Sequence, residues 1–215
     1  MAGRGGWTAA LGVTAAIVLP GLAGAAAFTN GSFEAGPSPG AFVTLSAGDA
    51  SITGWTVRAD SIDYIGTYWT AEDGGRSLDL SGDAAGGIQQ TFDTVPGWTY
   101  TVTFYLAGNP ECGSAVKGLD VGASGGPTVH YIFDTTGHTT SAMGWQQETY
   151  AFVATGTATT LSFQSTEPSP CGPALDNVAV SATPPVPALG GGGVALLALV
   201  VAALGCLAFR RTSAA

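Results

Sequence analysis

Ten residues near the middle of the chain, TYTVTFYLAG (99–108), alternate strictly. Tyr100, Val102, Phe104 and Leu106 fall on one side, and Thr101, Thr103 and Tyr105 on the other. A period of two marks an extended strand with one buried face, because successive side chains of a strand point to opposite faces. The same alternation recurs in SLDL (Leu78, Leu80), GIQQTF (Ile88, Phe92), GLDVGA (Leu119, Val121), TVHYIF (Val129, Tyr131, Phe133), TYAFVA (Tyr150, Phe152) and TLSFQS (Leu161, Phe163). Gly, Ser, Thr, Asp and Pro punctuate these runs, no stretch sustains a helical period, and no internal repeat is present. Short strands without crossover helices can bury their apolar faces only against one another. The pattern predicts an all-β, antiparallel two-sheet sandwich or barrel.

The ends of the 215-residue chain have a different character. Residues 1–27 carry Arg4, then an apolar stretch, then small residues at Ala25 and Ala27, the layout of a secretory signal peptide cut before Phe28. Residues 184–193 form a Pro-then-Gly linker. Residues 194–211 belong to an uncharged apolar run closed by Arg210 and Arg211, predicting a transmembrane anchor with a cytoplasmic basic end. The domain between, 28–183, holds all 15 acidic residues against Arg58, Arg76 and Lys117, a net charge near −12. Such a surface repels nucleic acid, which excludes that class of partner. Its two cysteines, Cys112 and Cys171, are the only pair available for a bridge within the exported domain.

Catalytic signatures are weak. His130 and His138 flank Asp134, but the two G-x-S-x-G strings, GPSPG (36–40) and GASGG (122–126), lead into no helical period as a nucleophile elbow would, and no zinc-type histidine spacing occurs. The chain is expected to be non-enzymatic. The segment DYIGTYWTAEDGG places Tyr64, Tyr68 and Trp69 among polar residues. Exposed rings beside Asp, Asn and Gln suit sugars, since the ring stacks on a C–H face while polar groups bind hydroxyls. These three are the candidate ligand-binding residues. Trp55, Trp98 and Trp145, each beside a glycine near a strand start, are expected to fill the core or plug strand ends.

Asp176 poses a separate problem. In LDNVAV (175–180), counting back by two from Val180 and Val178 puts this carboxylate on the core-facing side of a strand. A catalytic acid, a metal ligand and a buried ion-pair partner of Arg76 all remain open. An inward carboxylate without a partner would be costly or protonated.

The ordered motifs FTNGSFE, ITGWTV, IDYIGTYW, GGRSLDLSG, GGIQQTF, PGWTYTVTFYLAGNP, MGWQQETYAF and CGPALDNVAV resemble the bacterial choice-of-anchor C family. That family is similar to the plant cell-wall family called domain of unknown function 642. The resemblance implies a galactose-binding-like jelly-roll β-sandwich, secreted and held at the cell surface. It also implies a polysaccharide or glycan partner, with a purely structural or protein-interaction module as the alternative. The C-terminal tail resembles tripartite tails cut by a sorting protease. Carbohydrate-binding sandwiches of this shape often open on an Asn-Gly-x-Phe-Glu strand and close on an apolar-Asp-Asn-Val strand. Their two carboxylates commonly hold a structural calcium, here Glu34 and Asp176.

Overall fold

The computed structural model describes residues 26–185. The expected anchor (194–211), and nearly all of the expected signal peptide (1–27) and linker (184–193), lie outside the described residues. Eleven strands form: β1 (Phe42–Ser46), β2 (Thr56–Ala59), β3 (Ser61–Ile65), β4 (Ser77–Asp79), β5 (Gly87–Asp93), β6 (Thr99–Gly108), β7 (Val116–Ala123), β8 (Thr128–Asp134), β9 (Gln146–Val153), β10 (Ala158–Ser165) and β11 (Pro173–Thr183). They make a six-stranded sheet in the order β1-β3-β4-β11-β6-β9 and a five-stranded sheet in the order β2-β5-β10-β7-β8. Every pairing is antiparallel. The architecture is the expected all-β sandwich.

The alternation seen in sequence becomes the core. Tyr100, Val102, Phe104 and Leu106 on β6 are buried, as are Ile88 and Phe92 on β5 and Leu161 and Phe163 on β10. The two layers meet through edge-on rings, with Phe104 and Phe163 centroids 5.3 Å apart and Phe92 and Tyr100 6.1 Å apart. Each such side chain contributes about 1.5–3 kcal/mol by leaving water. Trp55 is 1% exposed at the heart of this cluster, the core role expected of it, and Trp98 and Trp145 pack against the cluster's rim.

Two expectations about strand geometry fail. The NGSFE segment (30–34) is a turn. Asn30 (φ 53°) and Phe33 (φ 61°) both take the left-handed conformation, which breaks an extended run. The Asn30 side chain ties the turn down, donating from Nδ2 to the Ala35 and Thr53 carbonyls and accepting from the Ala35 N–H.

The second correction concerns β11. Asp176 pairs with Tyr105, and Val180 pairs with Val102, but the register shifts between Asp176 and Ala179. Asn177, at φ 46°, forms this bulge. Val102 faces the core while Tyr105 faces the opposite way, so the extra residue puts Asp176 on the outer face of its sheet. Counting by two breaks down there.

The expected bridge between Cys112 and Cys171 forms, with Cα atoms 5.5 Å apart. It joins the segment after β6 to the segment before β11. Lys117 on β7 lies beneath it, fully buried, and its Nζ donates to the carbonyls of Cys112 and Cys171, both at 2.7 Å.

Candidate functional site

Asp176 and Glu34 converge on one loop, residues 70–76, from opposite ends of the sequence. What brings them together is a close approach of backbones: the Val178 N–H donates to the Gly31 carbonyl at 2.9 Å. A Cβ at Gly31 would stand 1.7 Å from the Val178 carbonyl oxygen, so only glycine fits. Asp176 Oδ2 accepts from the Glu72 and Asp73 N–H groups at 2.8 and 3.0 Å, and Oδ1 accepts from Asn177 at 2.6 Å. Glu34 Oε1 accepts from Gly75 and Arg76 N–H, both at 2.8 Å. The loop is therefore clamped by two carboxylates through backbone hydrogen bonds.

The ion pair between Asp176 and Arg76 does not form. The Arg76 guanidinium instead donates to the Pro37 carbonyl and lies over the Tyr64 ring, 5.4 Å from its centroid. Burial pushes the Asp176 carboxyl up to about 7, and the Glu72 carboxylate adds to the rise against the pull of the three N–H donors. Asp176 is fully shielded from solvent, so it meets no substrate. Among the described residues, no group of three or more His, Cys, Asp or Glu side chains is arranged to hold a metal ion.

The aromatic candidates separate into core and surface. Tyr64 sits in β3 and is fully buried, its hydroxyl donating to the Phe33 carbonyl at 2.6 Å. Trp69 is 5% exposed, and its indole N–H donates to Ser77 Oγ at 2.7 Å. Neither presents a ring face to a ligand, so both are removed from the candidate set. Tyr68 stays in it, 37% exposed.

Tyr68 stands beside Phe42, also exposed, with ring centroids 5.4 Å apart and edge to face. The two rings border an open cleft of about 280 Å³ on the outer face of the six-stranded sheet, where Thr44, Asp63, Asp83 and Asn109 supply polar groups. Sheet register explains the grouping. Thr44 pairs with Asp63, and Asp63 with Asp79, so these side chains form one crosswise row. The loops carrying Asp83 and Asn109 close the row's end, with Cys171 of the bridge among the walls. Thr44 Oγ1 donates to Asp63 Oδ1 at 2.6 Å.

The cleft is electronegative. Burial raises the Asp63 carboxyl above its ordinary range; the Thr44 hydrogen bond opposes this and Asp83 adds to it. Beneath it Asp79, 1% exposed, is pushed up to about 7 chiefly by burial, although Asn109 Nδ2 and the Ser81 and Gly172 N–H groups all donate to it. Phe42, Thr44, Asp63, Asp83 and Asn109 were not among the residues the sequence marked out. Nothing in FVTLS singles out Phe42, which stands beside the equally apolar Val43; the sheet register is what places it with Thr44 and Asp63.

The histidines assemble no catalytic relay with Asp134. His130 Nδ1 meets Asp120 at 2.7 Å on an exposed face, His138 Nδ1 lies 3.3 Å from the Ala142 carbonyl, and Asp134 accepts from the Thr136 N–H.

Residues 26–181 match the family model described as protein of unknown function (DUF642). The chain is 33% identical over 159 residues to halomucin of Haloquadratum walsbyi (strain DSM 16790 / HBSQ001), a match covering 70% of this chain and 2% of the relative. The chain thus spans about one fiftieth of that protein's length. Among solved structures, TmCBM61 in complex with beta-1,4-galactotriose is similar at 15% identity, covering 74% of this chain and 99% of that one, with a TM-score of 0.44. CBM35 from Paenibacillus barcinonensis is similar at 21% identity, covering 66% and 99%, with a TM-score of 0.43.

Proposed function

The chain belongs to the DUF642 family, and from that premise we propose that it is an exported, surface-anchored, non-enzymatic module that binds neutral carbohydrate in the Phe42–Tyr68 cleft. The carrying observation is that pair of exposed rings. A soluble domain ordinarily buries such side chains, and here two stand together over a polar, open trough. The chemistry matches a sugar ring. Phe42 and Tyr68 offer faces for C–H stacking, while Thr44, Asp63, Asp83 and Asn109 offer acceptors and donors for hydroxyls. Three carboxylates in and under the cleft disfavour an anionic ligand, which narrows the class to neutral polysaccharide. The secretion signal, anchor and sorting tail expected from the sequence would place this cleft outside the cell, where such polymers occur.

Affinity electrophoresis of the full chain in mild detergent, through gels containing xylan, mannan, galactan or β-glucan, tests the reading. At least one polymer should retard the protein. The Phe42→Ala/Tyr68→Ala variant should lose about tenfold or more in affinity while keeping its melting temperature, since both rings are surface groups. Retention by none of the polymers, or retention unchanged in the variant, would favour a structural or protein-interaction module instead.

A further inference from the structure

The outer face of the five-stranded sheet carries a second groove, of about 240 Å³, remote in chemistry from the first. Its axis is set by register. Thr56 pairs with Gln89, Gln89 with Ser162, Ser162 with Gly122 and Gly122 with Thr128. One row therefore crosses all five strands, about 19 Å at the usual strand spacing. Gly122 leaves the floor open: it alone in the row has no side chain, and a Cβ there would meet Thr128 Oγ1 at 3.2 Å and Ser162 Oγ at 3.8 Å.

Arg58 projects at the rim, from the irregularity in β2 between Val57 and Ala59. It is the available cation of the domain. Lys117 is buried on two carbonyls and Arg76 is held by Pro37 and Tyr64. Among the described residues the one salt bridge joins His130 to Asp120, so no carboxylate neutralises Arg58. Some hydroxyls in the groove are already engaged: Thr160 with Thr91, Ser124 with the Thr160 N–H, and Ser162 with the Gly122 carbonyl. The Arg58 guanidinium, the Gln89 amide and the Thr128 hydroxyl make no such bond within the described residues. No acidic residue lines the groove, although the domain carries 15. On that face Asp120 stands in the adjoining row, which runs from Gly87 through Gln164, and is occupied by His130.

We infer that this groove is a second saccharide site, taking an anionic sugar unit whose carboxylate or sulfate is held by Arg58 and whose hydroxyls meet Gln89 and Thr128. A planar guanidinium matches a carboxylate or sulfate through two parallel N–H donors. A purely solvated sheet face does not need an unpaired arginine at the rim of an acid-free groove in so acidic a domain.

The test uses the full chain in mild detergent with polygalacturonate, dextran sulfate and uncharged dextran in native gels. Polygalacturonate or dextran sulfate should retard the wild type and dextran should not, and which of the two does so names the anion. Arg58→Ala should weaken that binding about ten- to hundredfold, the range for losing a charge-assisted hydrogen bond. Gly122→Val, which fills the floor where a side chain must press on the Thr128 hydroxyl, should also block binding, and a cooperative melt checks that the variant is folded. The Phe42→Ala/Tyr68→Ala variant should bind anionic polymer normally, so failure of the cleft and failure of the groove are told apart. Absence of anionic binding, or binding that survives both Arg58→Ala and Gly122→Val, overturns the inference.

Discussion

Asp79 gives the sharpest prediction, because a buried acid that titrates near neutrality must leave a mark on stability. Its carboxyl moves from an ordinary 3.8 to about 7, mainly through burial. About three pKa units correspond to about 4 kcal/mol. The sign follows from proton counting. Below about pH 4 the group is protonated in both folded and unfolded chains and has no effect. Between about 4 and 7 the unfolded chain releases the proton while the folded chain keeps it, so the folded state binds more protons and stability falls as pH rises. Above about 7 both forms are ionised and the full loss is in place. For a domain of this size, 4 kcal/mol is on the order of 10 °C in melting temperature. Scanning calorimetry from pH 4.5 to 8.5 should therefore show a melting temperature that declines towards pH 7 and then levels. Asp176, also pushed up to about 7, adds a decline of the same sign. Asp79→Asn isolates the first contribution. The variant keeps an oxygen to accept from Ser81 and Gly172, at the cost of an amide facing Asn109 Nδ2. Its pH slope should be roughly half that of the wild type, whatever its absolute stability. Superimposable slopes for wild type and variant, or a melting temperature that rises from pH 5 to 8, would refute the reasoning.

Calcium at Glu34 and Asp176 makes a separate demand on the same kind of melt. If the ion binds, a chelator at pH 7.5 should lower the melting temperature by several degrees and added calcium should restore it, since a ligand at a hundred times its dissociation constant adds about 2.7 kcal/mol. Asp176→Ala should abolish that response, and a chelator-insensitive wild type would leave the backbone N–H clamp as the whole explanation. For export, chain isolated from cells should begin at Phe28, and truncation after Thr183 should release folded protein into the medium; truncated protein that stays cell-bound would move attachment into the domain.

The long strands were legible because both of their faces speak: an apolar residue at every second position and Thr, Ser or Gln between, as in β6 and β10. The strands β1, β2 and β3 were not marked out, since they are short and two of them carry apolar residues on both faces, as Phe42 beside Val43 in β1 and Tyr64 beside Ile65 in β3. That cost the assignment of Tyr64, which sits in a polar-looking string yet points inward from β3. Trp69 is hidden for a different reason. Its ring packs in the core while its indole N–H finds a partner in Ser77, eight residues away, which local composition does not encode. The Asp176 face was misjudged because a single left-handed Asn177 reverses the alternation. An Asp-Asn pair before a valine is the faint sign of such a bulge, as Asn tolerates that conformation better than most residues. The cleft itself depends on register between strands distant in sequence, which only pairing reveals.

The position of β11 carries a consequence for how this molecule comes into being. It is the last strand of the described residues, yet it lies between β4 and β6 in the middle of its sheet. Until residues 173–183 have left the ribosome or the export channel, β4 and β6 each keep an open hydrogen-bonding edge, and the sheet exists as two halves. The nascent chain is therefore held back from closing its larger sheet, which would suit the export proposed above. The same arrangement makes the final strand a keystone: its arrival unites the halves, brings Cys171 to Cys112, and delivers Asp176 to the loop at 70–76 in one late, cooperative step.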